Sequence, residues 1–180
     1  MTSAVQKTAS SRRAAGRGWS ICVAALFGLF WLYNALKFDD APGWTIYAAF
    51  GVAVVLFVAG IVCIRSDRKS GAPKRSRAAR VGFIIVVALE VAAILAAISA
   101  LQYLHLSQYI VAALSAIVAL HFLPLAKIFR ARIYYAMGLT MLAATAAAVV
   151  LLRGEQQMIC IAYSAGTILW LAAFISAVQR

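Results

Sequence analysis

The sequence has little charge, and acidic residues are especially scarce. Charged residues make up 12% of the 180 residues, and five of them are Asp or Glu, whereas a soluble domain contains about 25% charged residues. Hydrophobic residues make up 65% of the chain, and the mean hydropathy is +0.92. A soluble core cannot hide so much apolar surface, but a lipid bilayer requires it. The composition therefore excludes a soluble globular protein and predicts an all-α protein of the membrane.

Motifs that would indicate an enzyme or a bound cofactor are missing. The sequence contains no HExxH, no GxSxG, no glycine-rich phosphate loop and no pair of carboxylates within one apolar run. The three cysteines, Cys22, Cys63 and Cys160, have no CxxC spacing, and their odd number prevents complete pairing within the chain. We expect them to act as small packing residues rather than metal ligands. The sequence predicts no enzymatic activity, no cofactor and no metal site.

What the chain does contain is a series of apolar runs, each near the length of about 20 residues that crosses a bilayer. Six are recognised, separated by polar or basic segments. The predicted spans are 18–37, 44–64, 81–104, 109–128, 133–152 and 158–178. They predict a polytopic six-transmembrane-helix bundle, built from three helical hairpins within a single domain over residues 18–180. The short segment 105–108 is the weakest boundary, and one bent helix there would reduce the count to five.

The N-terminal segment has a different composition from the rest of the chain. Residues 1–17 are small, hydroxylated or basic, without an acidic residue, and such a segment cannot bury enough apolar surface to fold. We expect a disordered cytoplasmic tail. A signal or transit peptide is the alternative, but the apolar run 19–36 is longer than a usual signal-peptide core and no A-x-A-like site follows it. A retained first span is therefore favoured.

Basic residues are distributed unevenly between alternate connections. Fifteen of the 17 Lys and Arg residues fall in the tail, the second and fourth connections and the C-terminus, and Lys37 and Arg153 fall on the opposite side. Lys and Arg accumulate on the cytoplasmic side of membrane proteins. The distribution predicts that both termini are cytoplasmic (N-in/C-in), and it supports six spans because five would scatter the charges. A bacterial inner membrane is the default location.

The second connection, between residues 64 and 81, is the most basic part of the chain. A formal charge of +12 would suggest nucleic-acid binding in a soluble protein, but here the cations lie beside apolar spans, and no aromatic residues are interleaved with them. Such cations meet anionic lipid headgroups. We expect lipid, and no nucleic acid, to be the partner of Arg65, Arg68, Lys69, Lys74, Arg75, Arg77 and Arg80.

Small residues recur at helical spacing in several spans, which predicts close helix contacts because membrane helices associate through close approach rather than through burial from water. In the third span they form two alanine stripes. The predicted contact residues are Gly51, Gly60, Ala88, Ala92, Ala96, Ala93, Ala97, Ala100, Ala112, Ser115, Ala116, Ala119, Gly138, Ala162 and Gly166.

Glu90 and His121 are the two ionisable side chains that lie well inside predicted spans. Such residues are costly in a membrane and are functional candidates by default. Glu90 lies about 15 Å and His121 about 9 Å from the inner boundary, on spans that the short connection makes neighbours. A proton relay, a structural hydrogen bond and no contact at all remain open. The small-residue face of the fourth span points away from His121, which argues against contact.

Pro124 lies in the same region of the fourth span. It has no N–H to donate to the Leu120 carbonyl, so we expect a kink and an unpaired carbonyl near His121. Neighbouring helices usually satisfy such groups, and a purely structural kink is the simpler interpretation.

Two functional hypotheses follow from these observations. The first is a structural or interaction protein of the membrane. The alternative is a small proton-coupled transporter or permeation subunit that uses Glu90 and His121. Because six spans leave little room for a pathway in one subunit, the alternative also predicts a homo-oligomer.

Overall fold

The computed structural model describes residues 17–69, 77–129 and 131–178, which form six long α-helices. The helices are α1 (Arg17–Phe38), α2 (Gly43–Lys69), α3 (Arg77–Tyr103), α4 (Ile110–Phe129), α5 (Arg132–Leu151) and α6 (Gly154–Val178), with a short 3-10 helix at Ser107–Tyr109. All six are long and apolar enough to cross a membrane. The predicted fold class, an all-helical protein with six candidate spans, is confirmed. Residues 1–16 of the predicted disordered tail, Lys74 and Arg75 lie outside the described residues, and Arg17 already belongs to α1.

The helix boundaries agree with the predicted spans to within a few residues. The largest differences are at the basic connection, where α2 continues to Lys69 and α3 already begins at Arg77. The ends of these helices therefore extend beyond the apolar runs. Helical backbone does not require apolar side chains where water can solvate the polar ones, so hydropathy marks the apolar length of a helix rather than its full length.

The uncertain boundary at 105–108 is a genuine turn between two helices. His105 adopts a positive φ of 56°, and the Leu106 N–H donates to the Leu101 carbonyl over 2.8 Å. This pattern is typical of a helix that ends with one residue in the left-handed region. Asp40 ends α1 in the same way, with a φ of 46°. His and Asp tolerate this conformation better than most residues, so both turns follow from local sequence.

The bundle is arranged around α6. This helix packs against α1, α5, α4 and α2, and its contact with α1 is the most extensive between any two described helices. α1 also packs on α2, and α5 also packs on α4. In contrast, α3 packs extensively on α4 alone among the long helices described, and none of its residues is buried. The bundle therefore has a packed centre and one peripheral helix.

Glycines allow the closest approaches between helices. Four glycines were predicted to be contact residues, and three of them lie at such approaches. A Cβ on Gly138 of α5 would lie 2.6 Å from the Ala119 carbonyl oxygen of α4, and one on Gly166 of α6 would lie 3.0 Å from the Gly28 carbonyl oxygen of α1. A Cβ on Gly60 would lie 2.5 Å from the sulfur of Cys22. At these positions only the absence of a side chain permits the contact.

Two of the predicted contact surfaces make no contact with the described part of the chain. Gly51 is exposed and has no described atom within 4 Å of its would-be Cβ, so that prediction is wrong. The alanine stripe Ala88, Ala92 and Ala96 of α3 is exposed as well. The face of α3 that meets α4 contains larger residues such as Val86 and Ile94, which are half-buried. Spacing alone does not show which face of a helix is covered.

Candidate functional site

Glu90 of α3 and His121 of α4 are in contact. The His121 Nδ1 atom lies 3.2 Å from the Glu90 Oε2 atom, and the two side chains are 10% and 11% exposed. This pair is the contact that the sequence left open. It lies on the shared face of α3 and α4, where α3 meets the rest of the described bundle.

The contact is close without being an aligned hydrogen bond. Within the described residues, His121 Nδ1 is buried and has no partner in hydrogen-bond geometry. The imidazole also has a polar contact with the backbone of Val86, one helical turn before Glu90. Terminal torsions of His and Glu are soft, so the relative orientation of the ring and the carboxylate is adjustable at this distance.

The sequence argument against this contact used a correct observation and drew the wrong consequence. The small-residue face of α4 does point away from His121, but it packs against α5, where Ala119 meets Gly138. The opposite face, which contains His121, is therefore left for α3. Periodicity identified the two faces of α4, and only the packing of the bundle decided which neighbour covers each.

Both side chains line a partly enclosed cavity of about 430 Å³. Residues from five described helices form its walls, and α2 contributes none. The lining residues are Trp19, Ser20, Val23, Ala24, Phe27, Phe83, Val87, Glu90, Val118, His121, Phe122, Leu125, Phe129, Ile133, Tyr134, Met137, Leu169, Ala172, Ala173 and Ser176. The volume is within the range of small-molecule sites, about 300–1,000 Å³.

The position of the cavity follows from where its lining residues lie along each helix. They come from the beginnings of α1, α3 and α5 and from the ends of α4 and α6. The cavity therefore occupies the half of the bundle near Trp19 and Ser176, and α1 and α3 form two of its walls. Glu90 lies about 10 Å along α3 from the lining residue Phe83, so the carboxylate lies at the end of the cavity nearer the middle of α3.

Aromatic rings form a continuous row along one wall of the cavity. His121 and Phe122 have ring centroids 5.8 Å apart, Phe122 stacks on Tyr134 at 6.1 Å, Tyr134 lies 5.8 Å from Phe129, and Phe129 lies 6.0 Å from Phe83. All five rings line the cavity. Sequence reasoning missed this row. The spacing of His121, Phe122, Leu125 and Phe129 on one face of α4 was the available signal.

Pro124 lies inside α4, which continues from Ile110 to Phe129. It is half-buried, and neither Pro124 nor Leu120 is among the described residues that line the cavity. The Leu120 side chain is 51% exposed. The proline therefore lies one turn from His121 without contributing to the same wall, and the polar site predicted around the Leu120 carbonyl is separate from the cavity.

The basic residues predicted to contact lipid lie at helix ends. Arg65 and Lys69 at the end of α2, and Arg77 and Arg80 at the beginning of α3, are exposed. Arg68 belongs to α2, but its side chain lies outside the described part of the chain. The described cations do not line the cavity.

Metal binding finds no support in the described ranges, where no group of three or more His, Cys, Asp or Glu residues converges. Comparison of the chain with protein-family models, with curated proteins and with solved structures finds no match. The candidate site is thus defined by its own geometry: a carboxylate and an imidazole in contact, on the wall of an aromatic cavity.

Proposed function

We propose that this chain is a small proton-coupled transporter or permeation subunit of a bacterial inner membrane, in which Glu90 and His121 exchange protons with the cavity. The observation that carries the proposal is the 3.2 Å contact between the two side chains on the wall of a 430 Å³ cavity. A carboxylate and an imidazole are both proton acceptors that work near neutral pH when placed together. A buried pair used only for packing has no need of a cavity beside it.

The cost of these residues in a membrane supports the same conclusion. A charged side chain near the bilayer centre costs at least about 2.5–3.5 kcal/mol, whereas a polar contact between membrane helices returns about 0.6 kcal/mol on average. An ionised Glu90 held only for helix association would therefore cost more than its contact with His121 contributes. Proton exchange gives a reason to retain both side chains.

In the arrangement we propose, three hairpins place both termini and the basic connection in the cytoplasm. The excess of Lys and Arg on alternate connections supports this orientation. The exposed cations Arg65, Lys69, Arg77 and Arg80 then contact anionic headgroups of the inner leaflet. The cavity opens in the cytoplasmic half of the membrane, and Glu90 lies at its end nearer the middle of α3.

The experiment that tests the proposal is infrared difference spectroscopy of the full chain in lipid as the pH is changed. We expect a reversible band from a protonated carboxyl group that is absent in Glu90→Gln and shifted in His121→Gln. The control is Glu155→Gln, since Glu155 is exposed at the start of α6 and lies away from the cavity. A spectrum that is identical in the wild type and in Glu90→Gln would overturn the proposal.

A structural or interaction role is the second candidate, and the exposed alanine stripe of α3 favours it. Ala88, Ala92 and Ala96 form a narrow surface that a second helix can approach closely. Under this role Glu90→Gln lowers the stability of the bundle, and neither the wild type nor the variant exchanges protons. A homo-oligomer is compatible with both candidates, because a transporter of this size also needs more than one subunit.

A further inference from the structure

The walls of the cavity are of two kinds, and together they specify a ligand. One wall is aromatic, and the end nearer the middle of α3 holds a carboxylate. We propose that the cavity binds a lipophilic monovalent cation, an ammonium or phosphonium with an apolar or aromatic body, whose charge lies against Glu90 and whose body lies along the aromatic row. This inference rests on the proposed function and names the substrate class of the same site.

Charge complementarity is the first argument. Of the five acidic residues in the sequence, Glu90 alone lies inside an apolar run. The titratable groups that face the cavity with it are His121 from α4 and Tyr134 from α5, while α1 and α6 present uncharged residues such as Ser20 and Ser176. No described cationic side chain lines the cavity. A carboxylate in a low-dielectric site that no Lys or Arg neutralises is stabilised by a bound proton, carried by the carboxylate or by its neighbour His121, or by a bound cation.

The aromatic row is the second argument. Ring faces carry partial negative charge and attract cations, by about 2 kcal/mol or more where water is excluded. Phe122, Tyr134, Phe129 and Phe83 extend this surface from His121 toward the outer part of the cavity. The apolar body of the ligand, lying along these rings, is removed from water. The positive charge that it carries remains close to the partial negative charge of the ring faces. A purely aliphatic lipid tail would use the apolar surface but neither the rings nor the carboxylate.

Exchange between proton and cation connects this ligand to the proposed function. When a monovalent cation occupies the site, the Glu90–His121 pair releases one proton, so the net charge of the cavity is unchanged. When the cation leaves, the pair takes a proton back. No covalent bond is made or broken in the ligand. One site that holds either a proton or a cation, and not both, is the minimal arrangement for exchange of the two across a membrane.

The test is the binding of tetraphenylphosphonium to the full chain in detergent, measured by titration calorimetry. We expect saturable binding to the wild type that is weakened roughly tenfold or more in Glu90→Gln, since an interaction with a charged group is worth about 1.5–3 kcal/mol. Glu90→Asp retains the charge and should bind within severalfold of the wild type. Glu155→Gln should bind as the wild type does. Tetraphenylborate, of the same shape and opposite charge, should bind no better to the wild type than to Glu90→Gln.

Two results would overturn the inference. One is equal tetraphenylphosphonium affinity in the wild type and Glu90→Gln, which would show a cavity that takes apolar molecules or lipid tails regardless of charge. The other is no binding to wild-type protein that elutes as a single species. If either result is found while Glu90 exchanges protons in the infrared experiment, the cation site is wrong and the proposed function stands. If tetraphenylphosphonium binding depends on Glu90 but the infrared band does not change with pH, the proposed function fails and the cation site stands.

Discussion

The Glu90 carboxylate and the His121 imidazole meet at 3.2 Å across the contact between α3 and α4. Among the long helices described, α3 packs extensively on α4 alone. This polar pair therefore lies in the main described contact between the peripheral helix and the rest of the bundle. A change in the charge of the pair therefore affects the contact between α3 and α4. The same pair lies on the wall of the cavity that α1 and α3 border.

The first prediction concerns proton movement across a membrane. In liposomes containing the full chain, a gradient of an aromatic quaternary ammonium ion should drive a proton flux in the opposite direction above that of protein-free liposomes, and Glu90→Gln should return the flux to the protein-free level. His121→Gln should lower the flux without abolishing it, because the carboxylate remains. Internal pH, followed with an entrapped dye, measures the effect. Glu155→Gln is the control, and equal flux in the wild type and Glu90→Gln would contradict the prediction.

The second prediction concerns the contact between α4 and α5. In Gly138→Val, the new Cβ alone would lie 2.6 Å from the Ala119 carbonyl oxygen. That oxygen belongs to the backbone of α4, which cannot move away as a flexible side chain can. We expect a loss of about 1–3 kcal/mol in the free energy of unfolding. Unfolding in denaturing detergent, followed by circular dichroism, measures it.

The matched control for this substitution is Gly51→Val in α2. Gly51 has no described atom within 4 Å of its would-be Cβ, so the same side chain there should leave the unfolding free energy unchanged. Similar losses at Gly138 and Gly51 would indicate that valine disturbs the helices themselves, and would argue against the close approach of α4 and α5.

The third prediction concerns the buried hydrogen bond between α4 and α5. The Ser115 and Thr145 hydroxyls are 2.8 Å apart, and the Thr145 hydroxyl donates to the Met141 carbonyl, so Ser115 is the donor between the two. A double-mutant cycle of Ser115→Ala and Thr145→Val should give a coupling free energy of about 0.6 kcal/mol, and at most about 1.7 kcal/mol. A coupling near zero would mean that the two hydroxyls do not meet.

The fourth prediction concerns orientation in the membrane. Asp40 and Arg77 are exposed at the two ends of the bundle, and the three native cysteines are free, so they can be replaced by alanine without loss of a disulfide. In that background, a membrane-impermeant thiol reagent applied from outside the cell should label Asp40→Cys and not Arg77→Cys. After the membrane is opened, both should react. The reverse pattern would place the basic connection outside.

The six helices follow from the amino-acid sequence alone, because each must bury about 20 apolar residues in lipid and must satisfy its own backbone. The turn at His105, which the sequence left open, is closed by local hydrogen bonds in the structure. Glu90 and His121 could be selected as candidates for the same kind of reason, since an ionisable group inside an apolar run is costly wherever the helix lies.

Only the tertiary structure decided which helices meet. The alanine stripe of α3 and the glycine Gly51 have the spacing of contact residues but are exposed, whereas Gly138 and Gly166 have the same character and are in contact. In lipid every apolar face is equally well solvated, so composition does not show which face is covered. The choice depends on how all the helices fit together at once. That fit placed His121 against Glu90 and assembled the aromatic row from three helices, which no local pattern in the sequence could determine.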